Sequence, residues 1–247
     1  MVLGDSVSID PPIIKTVNRA AGRNIMVVGG EEATAASIFA GAIEGFLIRS
    51  DVSNSGSDSA KVFFLNGIRS EEPAMTKVVS RLKSNAQTEM INARDLEPFM
   101  LRLKDDLANR IANPDQFHAT HLICVGNLSR FRELRRSEEY SFGDDGGGAK
   151  LDAIFADLLR DGPAVGLHVL LWADSVSTLS RWLSRQSLRD IELRIVMQMS
   201  SNDSNQLIDS NAANRLEPYV ALIQDDLDGK PIKFRPFDID TLPNVTT

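Results

Sequence analysis

Short apolar runs rich in β-branched residues alternate with longer stretches of helical period along most of this chain. The run 25–28 precedes a helical pattern over 35–48, and 62–65 precedes one over 73–82. The run 122–125 is followed, after an interval, by a helix over 151–160. A strand at 167–172, a helix around 177–188 and a strand at 193–199 continue the series. Strands that are apolar at nearly every position need cover on both faces, so the alternation predicts an α/β fold on a mainly parallel sheet. Residues 219–223 and 232–234, with Asp228-Gly229 between them, read as an antiparallel hairpin at the sheet edge. The expected sheet has five parallel strands plus edge hairpins.

Two stretches interrupt the rhythm, 51–60 (DVSNSGSDSA) and 143–148 (GDDGGG). Both are small, polar and expected to be mobile loops. Neither is long enough to separate domains, so one α/β domain over 3–242 is the simplest division. The chain of 247 residues carries a net charge of -7, which argues against coating nucleic acid or anionic membrane through overall charge. One cysteine and three histidines exclude a disulfide framework and a multi-cysteine zinc site. With no apolar run near the roughly 20 residues that cross a bilayer, and no signal-peptide layout at the start, a soluble cytoplasmic protein is expected.

In an open α/β sheet, ligands sit at the carboxyl ends of the strands, which points to the turn after the first core strand. It reads Gly29-Gly30-Glu31-Glu32-Ala33-Thr34-Ala35-Ala36. A phosphate loop would read G-x-x-x-x-G-K-[ST], with backbone N–H groups around the phosphates, lysine on the β and γ groups and the hydroxyl on Mg²⁺. Gly29 is in register for the first glycine. The second glycine falls on Thr34, the lysine on Ala35 and the hydroxyl residue on Ala36. Glu31 and Glu32 add negative charge, and one such carboxylate about 5 Å from a phosphate charge repels it by roughly 3 kcal/mol at an effective dielectric near 20.

The strand 122–125 stands where a nucleotide-hydrolysing enzyme ends a strand in two carboxylates, and it ends instead in Gly126-Asn127. Each missing group is worth at least ~10²-fold in rate, so hydrolysis is expected to be negligible. Taken alone, these turns fit a lost nucleotide site and a fold that never held one equally well.

Longer segments resemble a known family. Asn24 to Gly29 is similar to a strand entering a phosphate loop, and Gly162 to Asp174 (GPAVGLHVLLWAD) to an R-A-x-G-I-H-L-h-h-A-T-Q stretch. Leu193 to Ser204 (LRIVMQMSSNDS) resembles T-R-I-x-F-x-V-S-S-x-x-D-S, with Leu207-Ile208-Asp209 matching the I-L-D that follows. Gly229 to Pro236 resembles the closing strand. In this order the segments resemble the motor domain of the FtsK/SpoIIIE group of RecA-like ATPases, in the wider FtsK–HerA class.

The resemblance implies a RecA-like, three-layer P-loop NTPase fold with a degenerate phosphate loop and a degenerate acidic strand end at Gly126 and Asn127. Asp174 stands where the family's glutamine senses the γ-phosphate. The family uses ATP and Mg²⁺; neither is expected to bind here. Tandem motor copies are frequent in this class and some are degenerate, which implies active ATPase domains of the same or another chain as partners. The translocated substrate would be DNA or a secreted polypeptide, and the chain would be a terminal module of a longer protein. Three functions stay open: a noncatalytic module serving active motors, a divergent ATPase active only in an oligomer, and a substrate-capture domain as in type VII secretion ATPases.

Arg181, Arg185 and Arg189 recur at four-residue spacing on the helix expected at 177–188. They form either a solvated face or a cationic edge for a partner or nucleic acid. Arg130, Arg132, Arg135 and Arg136 cluster beyond the Gly126-Asn127 turn with the same two readings. Arg194 is either an internal salt-bridge residue or a contact to a neighbour's nucleotide. His168 and Cys124, inside apolar strands, read as structural.

Overall fold

The computed structural model describes residues 1–53, 59–69, 71–137 and 150–242. The first half of the chain forms β1 (Val2–Ser6), β2 (Ile13–Ile14), β3 (Ile25–Val28), α1 (Glu32–Ser53), β4 (Lys61–Leu65), α2 (Pro73–Lys83), β5 (Thr88–Ile91), α3 (Leu96–Ala112) and β6 (His121–Val125). The second half forms α4 (Leu151–Asp161), β7 (Leu167–Ala173), α5 (Val176–Trp182), α6 (Arg185–Arg189), β8 (Leu193–Val196), α7 (Ser201–Ile208), β9 (Ala221–Asp225) and β10 (Ile232–Pro236).

Among the described residues the strands make one sheet in the order β2-β1-β10-β9-β8-β3-β7-β6-β4-β5. The strands from β3 to β8 are parallel to one another, while β9, β10, β1 and β2 add antiparallel pairs at one side. β3, β6 and β7 are buried at every position, as strands covered on two faces must be. One apolar core lies under α1 and α2, and a second under α3, α4, α5 and α7. The result is the expected three-layer α/β architecture.

α1 is apolar around almost its whole circumference because it is enclosed. Ile38, Phe39, Ile43 and Leu47 are all at most 1% exposed. Where α1 meets β1, a Cβ on Gly45 would stand 2.6 Å from the Val2 nitrogen, so glycine sets the helix-to-strand distance.

Several elements differ from the sequence reading. The parallel set has six strands rather than five: β5 is a half-buried edge strand of mixed polarity (Thr-Glu-Met-Ile) and lacks an apolar run. α3, absent from that reading, carries a regular buried stripe of Leu96, Phe99, Met100, Leu103 and Leu107. The N-terminal segment pairs through β1 with β10. α1 extends to Ser53, into the stretch expected to be a loop over 51–60. The rest of that stretch is described only at 59–60, and 143–148 lies outside the described residues. The helix expected over 177–188 is two helices, α5 and α6.

Candidate functional site

The carboxyl ends of the neighbouring strands β8, β3, β7 and β6 meet at one pole of the sheet, where the turn from β3 to α1 lies. That turn has three residues, Gly29, Gly30 and Glu31, before α1 begins at Glu32. Gly29 has φ +146°, its N–H donates to the Ala173 carbonyl at 3.0 Å, and its own carbonyl accepts the Trp172 Nε1–H at 2.9 Å. A Cβ there would stand 2.5 Å from the Met197 Cβ, so only glycine fits between β7 and the end of β8.

Both acidic residues of the turn are engaged as tethers. The Glu31 carboxylate accepts from the Thr34 hydroxyl at 2.5 Å and from the Tyr219 N–H at 3.0 Å, across 188 residues of sequence. Tyr219 sits at φ +58°, and its side chain is exposed. The Glu32 carboxylate accepts the N–H of Met75 in the first turn of α2, where an anion complements the helix N-terminus. Ala33 is half-buried and Thr34 buried, while Ala35 and Ala36 are 0% exposed in the apolar layer under α1. The positions matched to lysine and to the Mg²⁺ hydroxyl therefore lie inside α1 and face the core.

At the end of β6, Gly126 donates to the Leu65 carbonyl at 3.2 Å. Asn127, 2% exposed, caps the following 3₁₀ turn: its Oδ1 accepts from the Ser129 N–H at 3.2 Å and the Ser129 hydroxyl at 2.7 Å. Glu72, which sequence reasoning missed, approaches the same place. It accepts from Asn127 Nδ2 and Arg130 Nη2, each at 3.4 Å, and from the Arg69 N–H at 2.9 Å. Asp174 is exposed beside the turn, where its Oδ1 accepts from the Thr178 hydroxyl at 2.6 Å and the Ser175 hydroxyl at 3.1 Å at the start of α5. Among the described residues no group of three or more His, Cys, Asp or Glu side chains could hold a metal ion.

The arginine stripe expected on one helix is corrected by a break. α5 ends at Trp182, Leu183 is extended at φ -111° and ψ 145° with its side chain buried, and Ser184 caps α6 by accepting the Ser187 N–H at 3.0 Å. A buried leucine and a new serine cap outweigh continuation of the helix. Trp182, at the end of α5, meets the segment 131–136 instead. Trp182 donates from Nε1 to the Phe131 carbonyl at 2.8 Å, and its own carbonyl accepts the Arg136 N–H at 3.2 Å. The Arg135 guanidinium lies 5.9 Å from the Trp182 ring. Arg132, Arg135, Arg136, Arg181, Arg185 and Arg189 are all exposed, and among the described residues none forms an ion pair. Arg194 donates to the carbonyls of Ile191 at 3.1 Å and Leu207 at 3.2 Å, and pairs with Asp226 at 3.2 Å.

His168 is 0% exposed, with Nδ1 2.8 Å from the Arg23 carbonyl, and burial lowers its pKa from 6.5 to about 4. The Cys124 thiol is fully buried, and burial raises its pKa. Both are placed as core residues.

No family model and no curated protein matches this chain. Solved structures do. Over 97% of its length the chain is similar to the conjugation coupling protein TcpA of pCW3, solved with ATPγS, at a TM-score of 0.71 and 15% identity. A similar likeness, at a TM-score of 0.66 and 12% identity over 96% of the chain, joins it to ATPases 2 and 3 of Thermomonospora curvata EccC in complex with a signal sequence peptide. The chain has a P-loop NTPase fold. The genome packaging NTPase B204 of Sulfolobus turreted icosahedral virus 2 shares it at a TM-score of 0.55 and 12% identity. This chain spans 66% of the TcpA chain and 40% of the EccC chain. Among the described residues no helix is long and apolar enough to cross a membrane.

Proposed function

We propose that this chain is a noncatalytic FtsK/SpoIIIE-like module of a translocase, serving the assembly, regulation or substrate engagement of active motor domains. The observation that carries the reading is the β3–α1 turn. A nucleotide's phosphates need a loop of inward N–H groups and a lysine, whereas here α1 starts after three residues and Ala35 and Ala36 face the core. The only carboxylates of the turn, Glu31 and Glu32, are spent on holding Tyr219 and α2. These residues do not fit a Mg²⁺-bound nucleotide.

In this reading the exposed arginine face contacts a neighbouring motor domain. Likeness to motor ATPases at the level of fold supports a translocase setting, with DNA or a polypeptide as the moved substrate. The first test is turnover and binding on the purified chain with ATP and Mg²⁺. Hydrolysis stays at background and calorimetry gives no dissociation constant in the micromolar range, which would require about -8 kcal/mol. Turnover that persists through purification and changes when the 29–36 turn is altered would return the chain to the catalytic motors.

A further inference from the structure

At the opposite pole of the sheet, the amino-terminal ends of β4, β5 and β6 open into a cavity of about 370 Å³ beside α3. Its lining breaks the pattern of the core that it continues. On this face β4 and β6 contribute the buried Phe63, Leu65, Ile123 and Val125; one step nearer the strand starts, the same alternation places Lys61 and His121, which are register partners. α3 changes at the same level, where its buried stripe ends on Arg110, 3% exposed.

Arg110 is fixed from behind. Its Nε donates to both Asp106 carboxylate oxygens at 3.0 Å, and its Nη1 to the carbonyls of Ala119 at 2.7 Å and Val165 at 3.1 Å. Nη2 has no acceptor among the described residues. Arg102 pairs with Glu89 at 2.6 Å and lies over the rings of Phe63 and Phe99 at 5.6 and 5.2 Å. The His121 Nδ1 accepts the Lys61 N–H at 3.2 Å, with the imidazole edge-on to Phe63. His118 completes the wall.

Charge accounting identifies the missing group. Glu89 matches Arg102 and Asp106 matches Arg110, and among the described residues no carboxylate pairs with the Lys61 ammonium. Beside it lie an open arginine edge and two imidazoles. A purely structural Arg110 would use Nε and Nη1 as observed, but it would need neither a cavity beside it nor Lys61 as a second cation in the same lining. The planar edge of a guanidinium suits an oxyanion.

We propose that this cavity binds a small organic acid, its carboxylate or phosphate held by Arg110 Nη2 and the Lys61 ammonium and its apolar body against Phe63 and Leu103. The volume lies in the range of small-molecule sites, and an anion there offsets the Lys61 charge. The site is separate from the Gly29 turn, so it does not depend on whether that turn holds nucleotide.

The test titrates benzoate and inorganic phosphate into the full chain at constant ionic strength, balanced with sodium chloride. The ring signals of the three histidines are followed by NMR. Saturable shifts of His118 and His121 with His168 unmoved are expected from at least one probe; benzoate alone identifies a carboxylic acid, phosphate alone a phosphate ester. Lys61→Ala, at an exposed position, weakens the active probe at least about fivefold with the melting temperature unchanged. Arg110→Lys, where it folds, keeps the charge, loses the fork and weakens binding further. Shifts that rise without saturation for both anions, or unaltered affinity in Lys61→Ala, overturn the proposal.

Discussion

Glu31 and Glu32 look in the sequence like charges aimed at an anion, yet in the fold each caps or tethers a neighbouring element. Nothing local in the sequence encodes that difference, because Tyr219 and Met75 are distant along the chain. The placement of His168 inside a strand was legible from its apolar neighbours, and its protonation behaviour follows. Burial holds its folded pKa near 4 against 6.5 when unfolded, so the unfolded chain binds more protons between those values. Stability is therefore full above pH 6.5 and falls by about 3 kcal/mol as pH drops toward 4. Asp225 titrates in a lower window. Burial raises its pKa, but hydrogen bonds from Arg23 and Lys15 outweigh that and hold it at about 2. Its contribution is complete above pH 3.8 and disappears as pH falls toward 2. Urea midpoints across pH 2 to 8 check both signs: His168→Gln flattens the upper slope, while Asp225→Asn removes the lower one and leaves the upper in place.

At the scale of elements, helix propensity and packing oppose each other at Gly45. Alanine would gain about 1 kcal/mol as a helix former. Its Cβ would lie 2.6 Å from the Val2 nitrogen, pushing α1 off the backbone of β1, and overpacking of this kind costs typically 1–3 kcal/mol or more. Gly45→Ala is thus expected to destabilise by about 1–2 kcal/mol in chemical denaturation. Gly30→Ala, where the nearest atom would be the Asp174 oxygen at 3.8 Å, changes stability by less than about 0.5 kcal/mol. A gain in stability for Gly45→Ala would show that the α1–β1 contact is loose. The α5–α6 break teaches a similar lesson: four-residue spacing is a periodic signal, but it does not register that Leu183 has a core to enter.

Across the whole molecule, a chain of net charge -7 displays six exposed arginines without ion-pair partners among the described residues. They come from two sequence groups, and Trp182 ties the segment of Arg135 and Arg136 to the end of α5. Under the proposed function this face meets an active motor domain. Arg181→Glu with Arg185→Glu reverses charge at exposed positions, so the melting temperature stays within about 2 °C. Association with the active motor, or its stimulated ATPase rate in the full-length protein, falls at least about tenfold. Unchanged association and unchanged rate, with folding intact, would leave the arginines as a solvated surface.

The sequence by itself determined the three-layer α/β class, the parallel core strands and the β9–β10 hairpin, because apolar periodicity and turn chemistry are local and are written in consecutive residues. It also marked Gly29 as the start of the turn at the strand-end pole. Tertiary structure alone decided that Glu31 holds Tyr219, that Arg135 and Arg136 lie against Trp182, and that Lys61, Arg110 and His121 line one cavity. β5 escaped notice because an edge strand needs no apolar run, its fourth residue alone being buried. Contacts between residues 46 to 188 positions apart depend on how helices seat on the sheet, and that seating follows from side-chain volume and backbone approach summed over both cores.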